Sequence, residues 1–132
     1  MKNLAWRFLA LLLLCAVFSG GCAGSRRNEP TVILRSQRVQ ATLVEIASAL
    51  DQFRADHGYY PEGLAALRES RYLSIMPDLE RDWAFSFNVD GGKILMIGAV
   101  SQEAMVDGPG YRISFRVPDN YWEGYGITVL PK

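Results

Sequence analysis

One amphipathic segment, from Thr31 to His57, runs straight into Gly58-Tyr59-Tyr60-Pro61 and limits the folds open to this chain. Val39, Leu43, Ile46, Leu50 and Phe53 recur at alternating spacings of four and three, which sets them on one stripe of an α-helix. Arg38, Gln40, Glu45, Asp51, Gln52, Arg54 and Asp56 fall mostly off that stripe. The pattern predicts a helix with one dry face and one wet face. Pro30 and Thr31 suit its start, since proline is tolerated only near a helix beginning and threonine caps free N–H groups. Gly58 suits its end, because glycine takes the left-handed cap conformation without a Cβ clash, and Pro61 stops the helix restarting. At about 1.5 Å per residue the helix is roughly 40 Å long, longer than a small domain covers. Arg35 and Ser36 interrupt the apolar stripe before Val39, so the first turns are expected to project as a solvated stalk.

After the helix the period changes. Leu64 and Leu67 lie at helical spacing and predict a short second helix, and Ile75-Met76-Pro77-Asp78 reads as a turn. Phe85, Phe87 and Val89 alternate with Ser86 and Asn88, the pattern of a half-buried strand, and Asp90-Gly91-Gly92 is a hairpin signal. Lys93 to Val100 answers as a second strand, with Ile94-Leu95-Met96-Ile97 apolar on both faces and therefore central, covered by the long helix on at least one side. Residues 101–110 form a loop, Tyr111 to Val117 alternates cleanly as a third strand, and a last strand is expected at about Gly124 to Leu130. Two helices followed by a meander of three or four antiparallel strands define an α+β domain over residues 31–132.

The 132 residues suit one domain, once the leader is set apart. Lys2 and Arg7 form a positive n-region, Phe8 to Phe18 an apolar core, and Ser19-Gly20-Gly21-Cys22-Ala23 a small-residue cleavage region. The apolar run falls short of the roughly 20 residues that span a bilayer, so residues 1–21 read as an export signal. Cleavage after Gly21 removes Cys15 and leaves Cys22 with no disulfide partner. Gly20-Gly21-Cys22 resembles the lipobox of bacterial lipoproteins, although Ser19 stands where an aliphatic residue is usual. That resemblance implies a lipid, including palmitate, on Cys22; the alternative is ordinary cleavage after Ala23. Ala23 and Gly24, rather than Asp, follow the cysteine and imply outer-membrane sorting, with the domain facing the periplasm. Residues 22–30 are small, polar and basic, a tether between lipid and folded body.

Of 14 basic residues Lys2 and Arg7 leave with the signal, giving 12 against 14 acidic, and no basic tract remains. Nucleic-acid binding is not expected. Arg26 and Arg27 sit beside the anchor, where each positive charge gains about 1 kcal/mol from anionic lipid heads.

The run from Ala49 to Pro61, with Gly63, Leu64 and Leu67 after it, resembles the type IV pilin-like proteins and most of all the major pseudopilins of type II secretion. In those proteins a long helix ends in an Asn/His-Gly-x-Tyr-Pro turn and a small antiparallel sheet packs on it. The likeness covers about residues 40–100. It implies a pilin-like fold, a role in protein–protein interaction, and partners in a secretion or pilus-type assembly of the cell envelope. A prepilin start is missing: Thr42-Leu43-Val44-Glu45 echoes one, but no basic-Gly site precedes it and Ser48, Asp51 and Gln52 break the apolar stretch after it. A lipid on Cys22 would take the place of the apolar half of a pilin helix.

No catalytic, cofactor-binding or metal-binding residue is expected. His57 is the only histidine, and its position suits a helix C-terminus, where the dipole favours a cation. Asp78, Glu80 and Asp82 alternate with Leu79 and Arg81 and read as a solvated turn. Glu103 and Asp107 lie where related pseudopilins carry calcium, which gives a second reading: a periplasmic lipoprotein that binds Ca²⁺ or a small ligand through residues 101–110. Those two carboxylates fall well short of the roughly six to eight oxygens Ca²⁺ takes. Ser101 and Ser114 have no histidine in a recognisable frame, so an enzyme is not expected. Tyr59, Tyr60, Tyr121, Trp122 and Tyr125 either plug the corner between helix and sheet or form an exposed interaction patch.

Overall fold

The structure, a computed structural model, describes residues 31–127. The leader, Cys22 and the tether therefore lie outside the described residues, as do residues 128–132. The long helix α1 spans Val32–His57, with Thr31 as its N-cap and Gly58 as its C-cap. Gly58 sits at φ +82° and donates its N–H to the Arg54 carbonyl at 2.7 Å, the left-handed closure that the sequence predicts. Val39, Leu43, Ile46, Leu50 and Phe53 are all buried, joined by Thr42 and Ala49 on the same face. Burying each large apolar side chain contributes about 1.5–3 kcal/mol, so this stripe is the spine of the core. Among the described residues no helix is long and apolar enough to cross a membrane.

Helix α2 (Leu64–Glu69) buries Leu67 against α1. A further helix, α3 (Pro77–Asp82), stands where the sequence suggests only a turn. Pro77 begins it instead of breaking it, because the N–H that proline lacks is unpaired in any first helical turn. Asp78 and Glu80 lie in that first turn, where the helix dipole favours negative charge, and Leu79 tucks into the core.

Strands β1 (Trp83–Asp90), β2 (Lys93–Ser101), β3 (Arg112–Arg116) and β4 (Tyr121–Gly124) form one antiparallel sheet in chain order. Among the described residues the last strand starts and ends ahead of the predicted one: Gly124 ends it and Tyr125-Gly126 is a turn, while positions 128–130 of the predicted strand lie outside the described residues. A bulge faces Asn88 and Val89, leaving Leu95 unpaired between Met96 and Ile94. The extra residue lets Ile94 and Ile97 both point into the core although they lie an odd number of positions apart. α1 covers β2 and β3 on one face only, and Met96 on the other face is 39% exposed. The molecule is thus α+β, a long helix laid on a four-stranded meander.

The helix and β2 run in opposite directions. Arg54 near the helix end approaches Gly92 at the hairpin, whereas Ser36 near the helix start meets Gly126. The solvated stretch is therefore shorter than expected: Val32, Ile33 and Leu34 are exposed, but the helix is tied to the body from Arg35 and Ser36 onward. Ser36 is fully buried, its hydroxyl donating to the Gly126 carbonyl at 3.1 Å, and Arg35 is fastened to the body by side-chain bonds. A polar residue interrupts the apolar stripe there because its partner is a backbone carbonyl, not water.

Candidate functional site

The polar side chains concentrate where the start of α1, helix α3 and the 101–110 loop meet. Arg35 donates from Nε to the Tyr125 hydroxyl at 3.1 Å and from Nη2 to Asp107 Oδ2 at 2.8 Å. The Tyr125 hydroxyl in turn donates to the same Asp107 oxygen. These groups close a triangle. The Tyr125 bond and then Arg35 hold the Asp107 carboxyl below its ordinary range, against a smaller opposing effect of burial. Burial pushes the Tyr125 phenol up, and the bond to Asp107 adds to it. Burial works against the charge on Arg35, but its bonds to Tyr125 and Asp107 outweigh that and raise it.

Beside this triangle lies a cleft of about 320 Å³ whose walls include Arg35, Arg38, Arg81, Asp78, Asp82 and Trp83. Its guanidinium groups are matched one for one: Arg38 with Asp78 at 2.7 Å, Arg81 with Asp82 at 2.7 Å, and Arg35 with Asp107. The Arg38 bond lowers the Asp78 carboxyl. Glu80 pairs with Arg68 at 2.5 Å on the other side of α3. The acidic group expected on a solvated turn is thus carried on a helix and engaged in ion pairs. Among the described residues no group of three or more His, Cys, Asp or Glu side chains is placed to hold a metal ion.

The 101–110 loop is closed on itself. Buried Ser101 donates its hydroxyl to the Gly108 carbonyl at 2.7 Å and accepts from the Tyr111 N–H at 2.9 Å. Met105 fills the space beneath it. Asp107 of the calcium reading is paired with Arg35, and neither it nor Glu103 belongs to a group of three or more such side chains among the described residues. Ser101 is a loop clasp, with no histidine near it.

His57 stacks on Phe53 at 4.1 Å, and its Nδ1 lies 3.0 Å from the Phe53 carbonyl. It finishes the helix. The aromatic residues are spread over both ends of α1 and the sheet between them and make no single patch. Tyr60 lies under Arg54 and hydrogen-bonds it, while Tyr59 stands 62% exposed with its edge toward Phe53. At the far end Tyr125 packs on Trp83 and Tyr111, while in mid-sheet Trp122 stacks on Phe115 at 4.3 Å. Tyr121 sits beneath Arg116. Tyr60 and Tyr125 pack where helix and sheet meet, Trp122 packs on the sheet, and Tyr59 is the most exposed of the set.

Comparison with family models, curated proteins and solved structures finds no match. The class is therefore set by the fold alone: an α+β domain whose long helix is backed by a four-stranded antiparallel meander.

Proposed function

We propose that this chain is a non-enzymatic, lipid-anchored protein of the bacterial cell envelope, with a pilin- or pseudopilin-like domain that binds other proteins of a secretion or pilus-type assembly. The observation that carries the reading is the long helix ending at the Gly58 cap and Tyr59-Tyr60-Pro61, with a sequentially ordered antiparallel sheet packed along it. Cys22, directly after an apolar run and a glycine pair, supports the anchor. The side chains of the cleft support a binding role over catalysis, since its acids and bases are paired with one another.

In this reading the lipid on Cys22 holds the domain at the outer membrane, facing the periplasm, and residues 23–30 carry it clear of the acyl chains. A Cys22→Ser variant tests it. Labelled palmitate is expected to disappear from the protein, and the protein to move from the membrane fraction to the soluble fraction. Retention in the membrane at the wild-type level would remove the anchor from the account.

A further inference from the structure

The first turn of α1 leaves Val32, Ile33 and Leu34 40%, 57% and 52% exposed, three consecutive apolar side chains in contact with water. Val106, 55% exposed, is brought to the same end, because its neighbour Asp107 is held by Arg35. Packing does not explain this exposure: the same turn is fixed to the body through Ser36 and Arg35, so it is ordered and apolar at once. Helix starts in water usually carry acidic or polar residues, and this one carries no acidic side chain in its first turn.

We infer that this end of the domain, formed by Val32, Ile33, Leu34 and Val106, docks on the surface of a phospholipid bilayer. The inference rests on the lipid anchor proposed above. The chain from Ala23 to Thr31 reaches at most about 30 Å even when extended, at ~3.3–3.6 Å per residue, so a lipid on Cys22 keeps the start of α1 close to the bilayer. Arg26 and Arg27 lie on that tether and match anionic headgroups. The arginines of the cleft add little, since each already faces a carboxylate. Apolar contact therefore carries the docking, with the exposed turn entering the headgroup layer as amphipathic interfacial helices do. The bilayer would then fix the direction of α1 and turn its far end, with Tyr59, toward the periplasm.

Spin labels read this directly. With Cys15 removed with the signal and Cys22 lipidated, a cysteine introduced at Ile33, Val106 or Ser48 is the only free thiol of the mature chain. The full protein is reconstituted in vesicles of phosphatidylethanolamine and phosphatidylglycerol. Labels at Ile33→Cys and Val106→Cys are expected to collide several-fold more with oxygen, relative to a water-soluble nickel chelate, than the label at Ser48→Cys, an exposed position further along the helix. Equal ratios at all positions overturn the docking. So does shielding of position 33 from both reagents, which would put protein over the turn instead of lipid. Palmitate labelling of the same sample reads the anchor separately. Labels in water on a lipidated chain overturn the docking alone; a chain without lipid that still shows the contrast keeps the docking and overturns the anchor; one that neither carries lipid nor binds vesicles overturns both.

Discussion

Tyr125 joins parts of the chain that lie far apart in sequence. Its hydroxyl accepts from Arg35 and donates to Asp107, so one oxygen ties the start of the helix to the loop before β3 and to the turn after β4. A Tyr125→Phe variant is expected to lose about 1 kcal/mol in urea unfolding, with the ring still packed on Trp83 and Tyr111. Asp107 adds a pH dependence of known sign. Its carboxyl is depressed in the folded state, so the folded form binds the proton more weakly than the unfolded chain, and stability falls as pH falls. The contribution is complete above the unfolded value of about 3.9 and is lost as pH drops through the lower folded value. Asp107→Asn is expected to flatten this acid loss, and an acid limb as steep as that of the wild type would contradict the triangle. Gly126 is the other fixed point. At φ +68° its missing Cβ would meet Ser36 Cβ at 2.7 Å and the Val32 carbonyl at 2.9 Å. Gly126→Ala is expected to cost roughly 1–3 kcal/mol in chemical denaturation. None of this was legible in the sequence. Ser36, Arg35 and Asp107 are ordinary surface residue types, and only long-range pairing, over 72 positions for Arg35 with Asp107 and 90 for Ser36 with Gly126, makes them structural.

At the scale of elements the periodicities spoke clearly. The apolar stripe from Val39 to Phe53 is the buried face of α1, and the alternation in β1 and β3 matches their inward faces. Leu43→Ala, at a fully buried position, is expected to cost about 2–5 kcal/mol, whereas Val44→Ala, 53% exposed, should stay within about 0.5 kcal/mol of wild type. Thermal and urea unfolding of the pair would show whether the stripe is the core. What the pattern could not give were elements whose signals conflict. Pro77 reads as a breaker but opens α3, and the early end of β4 hides in a sequence where Tyr125 and Ile127 continue the apolar alternation past Gly124. The bulge at Leu95 is invisible for a related reason: four apolar residues in a row fit either register, and only the partner strand decides which one is displaced.

At the scale of the molecule the two ends of α1 differ in chemistry. One end presents Val32, Ile33, Leu34 and Val106, and the other presents Tyr59 beside the Gly58 cap. In the proposed arrangement the first faces lipid and the second faces partners, with the sheet packed along the helix between them. The helix ending stood out as a local motif, while the paired cleft depends on tertiary contacts, and Cys22 lies outside the described residues. The proposed function stands on the lipid at Cys22, which mass spectrometry of the N-terminal peptide from the membrane-extracted protein can read. The expected peptide begins at Cys22 and carries the added mass of a diacylglyceryl group. An unmodified peptide beginning at Gly24, left by ordinary cleavage after Ala23, would contradict the proposal.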